Sequence, residues 1–302
     1  MKIIITGING QLGHDAAEEA KRRGHIVYGT GTTSEYSGSA RLMCELDGYI
    51  RMDITDDASV SEVMDTIKPD GVIHCAAWTA VDKAEDEECR DMAVKVNADG
   101  TANIAKACKR INAKLIYIST DYVFDGEGTK AWEPDETDYR PVNQYGLSKL
   151  MGEKAVAENL EKFFIVRISW VYGINGNNFV RTMMKLSESH DTLRVVNDQI
   201  GLPTYTRDLA SLLMDMIQTE CYGYYHACNA GEYISWYQFA CEIFKMTGAD
   251  VNVIPVTTEE YGLSKARRPK NSRLDTGKLK KAGFSELAEW KDALGRFLKE
   301  VQ

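Results

Sequence analysis

The sequence predicts an α/β protein: a doubly wound parallel sheet with a smaller, mixed α/β lobe in its C-terminal part. Three observations lead there. Apolar, β-rich runs alternate with helical patterns through the first half of the chain, the cadence of strands covered by helices on both faces. A glycine turn joins the first strand to the first helix. After about Trp170 the segments become shorter and helix-rich. No compositional break or low-complexity linker separates the halves. We therefore expect a continuous chain, with one domain over residues 1–170, a lobe over 171–302, and some segments crossing back.

The elements follow in order. Lys2–Thr6 is a short β-rich run. Gln11–Arg23 is helical, with Gly24 where a C-terminal cap belongs. Ile26–Thr30 and Tyr49–Met52 read as strands, Asp56–Ile67 as a helix. Pro69-Asp70-Gly71 turns into a strand over Val72–Ala76. Asp86–Arg110 reads as one long helix, and Lys114–Ser119 and Phe163–Ile168 as strands. Beyond them, helices are expected over Phe179–Ser189, Thr206–Thr219, Ser235–Thr247 and Glu286–Glu300, with Val196–Pro203 a loop.

Composition narrows the function. Of 302 residues, 44% are hydrophobic, enough to build a core and too many for a disordered chain. No apolar run approaches the ~20 residues of a membrane span, and Met1–Ile5 lacks the length and flanks of a signal peptide. The expectation is a cytoplasmic protein with no membrane partner. A net charge of −9 argues against binding nucleic acid, although a small anionic ligand needs only local charge. The seven cysteines are odd in number and contain no C-x-x-C pair, and the five histidines contain no H-x₃-H pair. They read as reduced core residues, with no disulfide frame and no metal site.

The turn Thr6-Gly7-Ile8-Asn9-Gly10-Gln11-Leu12-Gly13 has glycines three apart. Between a strand and a helix, such a turn lets the backbone approach a pyrophosphate while the helix N-terminus stabilises its charge. This marks residues 1–170 as a Rossmann-like dinucleotide-binding domain. After the second strand, Gly29-Thr30-Gly31-Thr32-Thr33-Ser34 offers no acid until Glu35. A carboxylate there would hold the ribose 2′-hydroxyl of NAD and repel a 2′-phosphate. Its absence favours NADPH, with NADH possible. No arginine stands immediately beside the site in sequence, though Arg41 is near enough to reach.

Tyr145 and Lys149 lie four apart, on one helix face. An ammonium beside a phenol favours the phenolate and draws the tyrosine down from ~10, making Tyr145 a proton donor near neutrality. The same five letters recur at Tyr261–Lys265, between Glu259-Glu260 and Arg267-Arg268-Pro269, where they read as a loop and a decoy. Ser119-Thr120-Asp121-Tyr122-Val123-Phe124-Asp125-Gly126 closes the fifth strand, and a hydroxyl there can bind a substrate carbonyl beside the tyrosine.

With Cys75–Asp82, Arg167–Gly173, Gly176–Phe179, Val196–Thr204 and Arg268–Ser272, these runs match one family in order along nearly the whole chain. The sequence resembles the dTDP-4-dehydrorhamnose reductases, of the extended short-chain dehydrogenase/reductase superfamily. The resemblance implies that NAD(P)H reduces the C4 ketone of dTDP-4-dehydro-L-rhamnose to dTDP-L-rhamnose, in nucleotide-sugar and cell-wall polysaccharide biosynthesis. It implies a catalytic set of Thr120, Tyr145 and Lys149. Gly7, Gly10, Gln11, Leu12 and Gly13 would meet the pyrophosphate, with Asp53, Ile54, Ala76, Ala77 and Trp78 along the rest of the cofactor. Asp121 and Trp170 would touch the sugar nucleotide, as would Asn178 and Arg268.

Two departures stand out. The segment Thr32–Arg51 is longer than the family leads one to expect. Some relatives dimerise through a metal held by three carboxylates, whose positions here are Asp15, Arg207 and Glu300. An arginine cannot ligate Mg²⁺, so a metal-bridged dimer is not expected and a monomer or weak homodimer is. Alternatives of the same fold are an epimerase, another nucleotide-sugar reductase, or a non-catalytic binding subunit. Elimination is disfavoured, because dehydratases place Glu where Tyr122 stands.

Overall fold

A computed structural model describes residues 1–301. Seven parallel strands form the central sheet. Six are β1 (Lys2–Thr6), β2 (Ile26–Gly31), β3 (Gly48–Arg51), β4 (Gly71–His74), β5 (Lys114–Thr120) and β6 (Phe163–Ile168). The spatial order is Gly223–His226, β6, β5, β4, β1, β2, β3, so chain order reverses between β1 and β4. In register, Thr6 pairs with both Thr30 and His74, which aligns the carboxyl ends of β1, β2 and β4 at that switch point. A crevice opens there, and ligands of open α/β sheets bind in such crevices.

Alternation along β1 explains the two layers. Ile3 and Ile5 enter one core with α1 (Gln11–Arg22) and with Leu209, Leu213 and Ile217 from further along the chain. Ile4 enters the other, with residues of α2 (Asp57–Ile67) and of the helices before β5 and β6. Buried on both faces, the strands read as apolar runs.

The expected long helix over Asp86–Arg110 is interrupted. It consists of α3 (Glu87–Val94), a π-helical segment Lys95–Gly100, and α4 (Thr101–Ile111). The widened turn carries Asn97, whose side chain accepts from Trp78 N at 2.8 Å and donates to Ser148 Oγ at 2.9 Å. Insertions of this kind recur at functional sites. The strand expected over Val72–Ala76 ends at His74, and the chain then turns across the sheet end. β3 spans Gly48–Arg51 rather than Tyr49–Met52, although Met52 N still bonds Gly31 O at 2.8 Å.

The catalytic-helix candidate is α5 (Gln144–Asn159), capped by Asn143, whose side chain accepts from Gly146 N. The C-terminal segments α6 (Phe179–Ser187), α7 (Thr206–Ile217) and α8 (Trp236–Thr247) follow. Helix α7 returns to the sheet and packs on α1. The strand Gly223–His226 returns as well, pairing with β6. The remaining helices share a separate core around Tyr172, Phe239 and Phe297. The expected Glu286–Glu300 helix starts only at Trp290, because Leu287–Glu289 pairs as a strand with Asn229–Ala230. Within the expected loop Val196–Pro203, Ile200–Gly201 is a short strand between Ile234–Ser235 and Asn271–Ser272. The long segment after β2 crosses to the second half, where Asn175 Oδ1 accepts from Ala40 N at 2.9 Å.

One ion pair lies wholly inside. Arg167 at the end of β6 meets Glu153 of α5 at 2.7 Å, both essentially inaccessible. Removing one partner strands a buried charge, so Arg167→Met should cost ~3–5 kcal/mol in urea denaturation, and adding Glu153→Leu should recover a substantial part.

Candidate active site

The crevice is a cavity of about 720 Å³ at the carboxyl ends of the strands. Its floor is the glycine turn. Gly7 sits at φ 64°, and a Cβ there would come within 2.6 Å of Ala76 N. Only glycine allows β1 and β4 to close this tightly. Gly10 begins α1 with no side-chain cap, so the first N–H groups of the helix remain available to an anion. Thr6 Oγ1 receives Ala76 N at 3.2 Å and meets His74 Nδ1 at 2.7 Å, fixing the chain that leaves β4. Gln11 Oε1 accepts from Gly173 N at 2.9 Å and from Asn178 Nδ2 at 3.0 Å, tying the turn to the second half of the molecule.

The chemistry-bearing side chains line the same cavity. Thr120 ends β5, and Tyr145 and Lys149 face it from α5. Burial pushes the Tyr145 phenol up from its ordinary value, Asp121 adds repulsion, and the Thr120 hydroxyl partly offsets both. Burial pulls Lys149 down to about 7, opposed by the Glu153 carboxylate and by Cys75. Its ammonium stands 4.1 Å from the centre of the Tyr117 ring. The expected lowering of the tyrosine by Lys149 is therefore absent: desolvation wins over the charge. A phenol that keeps its proton remains a donor to a far more basic alkoxide.

Asp121 is buried, and its Oδ2 has no hydrogen-bond partner. Burial raises it to about 6, with Ser272 and Thr120 opposing. Thr30 Oγ1, also on the wall, is likewise unpartnered. The uncapped N–H groups suit the anionic part of a ligand such as a dinucleotide, and the unpartnered Asp121 Oδ2 and Thr30 hydroxyl suit its or a second ligand's hydroxyls.

The comparisons with known proteins agree. Residues 1–302 match the family described as RmlD substrate binding domain. The chain is 38% identical over 299 residues to the spore coat polysaccharide biosynthesis protein SpsK of Bacillus subtilis (strain 168), covering 99% of this chain and 97% of that protein. It is 38% identical over 297 residues to the dTDP-4-dehydrorhamnose reductase of Streptomyces griseus, covering 96% and 91%. The crystal structure of dTDP-4-dehydrorhamnose reductase from Bacillus anthracis in complex with NADP superposes with a TM-score of 0.89 at 42% identity, over 99% of this chain and 100% of that one. This chain belongs to the RmlD family.

Most of the residues expected from sequence in this RmlD-family chain meet in the cavity. Gly7, Gly10, Gln11, Leu12 and Gly13 line it, as do Asp53, Ile54, Ala76 and Ala77. On the substrate side are Thr120, Asp121 and Trp170. Three lie outside its lining. Trp78 is held by its backbone to Asn97, and its indole bonds Ala80 O at 3.1 Å. Asn178 caps α6 and bonds Gln11. Arg268 stands behind the wall, 2.5 Å from Asp82 and 3.3 Å from the hydroxyl of Tyr122, which does line the cavity. Trp236 was not singled out in the sequence. It stacks on Trp170 with ring centres 3.9 Å apart. Trp170 itself sits at φ 49°, a costly conformation for a bulky residue. Tyr261, expected in a loop, ends a short surface helix, Thr258–Tyr261, and does not line the cavity.

The Asp121 carboxyl makes a pH-dependent prediction. Its ordinary value is 3.8 and its folded value about 6, so between those limits the folded chain holds more protons than the unfolded one. Its contribution to stability therefore falls as pH rises from about 4 to 6 and is constant above. Asp121→Asn should match the parent near pH 4 and gain up to ~3 kcal/mol at pH 8, measured by urea denaturation.

Proposed function

We propose that this chain is an NADPH-dependent dTDP-4-dehydrorhamnose reductase, forming dTDP-L-rhamnose for nucleotide-sugar and polysaccharide biosynthesis. The observation that carries the reading is the meeting of Thr120, Tyr145 and Lys149 in one cavity with the uncapped N-terminus of α1. Gly10 to Gly13 hold the diphosphate of NADPH, and Ala76 and Ala77 flank its length. When bound, the dinucleotide supplies the hydride that reduces C4 of the sugar.

The residues of this chain do the rest. Thr120 Oγ1 donates to the C4 oxygen and orients the ketone. Tyr145 Oη gives its proton to the same oxygen, completing the alcohol. Lys149, whose ammonium burial pulls down from its ordinary value, would hold the nicotinamide ribose and return a proton to the tyrosine. Asp121 Oδ2 accepts a hydroxyl of the sugar, which supplies the missing partner of that atom. Trp170, stacked on Trp236, offers an apolar wall for the sugar nucleotide. Tyr122 fills the place where an eliminating acid would stand, 5.6 Å edge-on from the Tyr145 ring.

The test is oxidation of NADPH on adding dTDP-4-dehydro-L-rhamnose. Tyr145→Phe should lower kcat by ~10²–10⁴ while leaving cofactor binding intact, and Tyr261→Phe should behave as the parent. No turnover by the parent protein would favour the binding-subunit reading.

The same reading takes the enzyme to be cytoplasmic, in keeping with its seven unpaired thiols, and a monomer or metal-free weak dimer. Arg207 pairs with Glu300 of its own chain, and Tyr205 donates to that carboxylate at 2.7 Å. Asp15 accepts from Thr206 and meets His14 at 3.1 Å. The three positions are thus each engaged within their own chain. Light scattering should give the same mass in Mg²⁺ and in EDTA; a dimer lost only on chelation would contradict this.

A further inference from the structure

We propose that Arg51 is the cation that takes the 2′-phosphate of NADPH, and so the residue by which this chain distinguishes NADPH from NADH. The proposal rests on the reductase reading above and assigns one subsite within it.

Strand register places the residue. β2 and β3 run parallel with Gly31 opposite Arg51, so Arg51 closes the carboxyl end of β3 beside the carboxyl end of β2. The adenine ribose of a dinucleotide lies beyond that end of the second strand. Gly31 and Thr32 line the cavity there. The sequence alone hid this neighbour, because 18 residues separate Thr32 from Arg51.

Alternation sets the face. Arg51 shares a side of the sheet with Tyr49, two residues earlier. The Tyr49 hydroxyl meets Thr33 Oγ1 at 2.8 Å and receives Asn9 Nδ2 at 3.4 Å. That side is therefore the side of the glycine turn and of the hydroxyl-bearing loop. Thr32, Thr33 and Ser34 are exposed next to it and carry no negative charge.

Arg51 is also free to act. It is exposed, and among the described residues its side chain makes no ion pair and no hydrogen bond. The carboxylates closest along the chain are committed elsewhere. Asp47 is held by Lys21 at 2.7 Å and by Val27 N at 2.7 Å. Asp53 accepts from Thr55 N and Oγ1, each at 2.9 Å. Arg41, nearer in sequence to β2, has its backbone carbonyl 3.4 Å from Nε2 of His14, a buried residue of α1. An exposed guanidinium at this strand end, next to a loop of hydroxyls, is the kind of donor a phosphate monoester requires.

Calorimetric titration with 2′,5′-ADP, 5′-AMP, NADPH and NADH tests this without turnover. The parent should bind 2′,5′-ADP more tightly than 5′-AMP, and the preference should shrink with salt. Arg51→Ala should weaken 2′,5′-ADP and NADPH about ten- to hundredfold and leave 5′-AMP and NADH unchanged. Arg51→Lys should retain part of the preference, and Arg41→Ala all of it. Equal weakening of both dinucleotides, no weakening, or a selective loss in Arg41→Ala would overturn the assignment while leaving the reductase reading standing. A parent that binds neither dinucleotide would overturn both.

Discussion

The buried pair between Arg167 and Glu153 is the constraint on which the site depends. Two charges leave water only when nearly every polar atom they carry is satisfied, and here the accounts close. Glu153 Oε1 accepts from Ser119 Oγ at 2.5 Å and Arg167 Nε at 2.8 Å, and Oε2 accepts from Arg167 Nη2. The guanidinium also donates to Pro134 O at 3.1 Å and the Tyr139 hydroxyl at 2.8 Å, between the rings of Phe124, Tyr139 and Tyr224. Each anchor adjoins a residue that lines the cavity. Ser119 precedes Thr120, Glu153 lies one turn beyond Lys149, and Arg167 lies three residues before Trp170. The pair therefore sets the distance between strand end and helix across which a ketone must fit.

The same carboxylate shapes the charge of the cavity. Burial raises Tyr145 and Asp121 and lowers Lys149 and, behind the lining, His74, the last to about 3. His74 is thereby kept neutral between the hydroxyls of Thr6 and Thr101, where it can serve only as a hydrogen-bonding brace. Glu153 is the anion that opposes the loss of charge on Lys149. Without it, a lysine this deep would lie further from the protonated form that a ribose hydroxyl or a phenolate can use.

How much of this was legible in the sequence follows from how local each signal is. The glycine turn, the first six strands and Tyr145–Lys149 were readable because each is a contiguous run whose spacing states its geometry. The π-helical break was not, since Asn97 sits in an unbroken helical pattern and its reason lies in Trp78 and Ser148, far away in sequence. The strand Gly223–His226 is short and shows no period of its own; only pairing with β6 makes it a strand. Trp236 opens α8 directly after a capping box, so locally it reads as helix core. The tyrosine's protonation was misjudged for a related reason. Spacing reveals the neighbouring lysine, but burial of both groups is a property of the assembled fold, and burial is what raises the phenol most.

Trp170 shows why the second lobe had to be built on the first. Its left-handed backbone is held because Thr204 N bonds its carbonyl at 3.1 Å, while Ser169 Oγ reaches Leu202 O at 2.7 Å and Thr204 Oγ1 returns to Ser169 O at 2.6 Å. These three bonds join the end of β6 to the segment 202–204, and α8 then supplies Trp236 against the strained indole. Strain of this kind persists only where the surroundings over-determine it. The end of β5 thus presents the hydroxyl and α5 the phenol and the lysine, while Trp170 and Trp236 form a stacked aromatic wall in the same cavity. The aromatic wall is thus fixed to the end of β6, the strand that pairs with the hydroxyl-bearing β5.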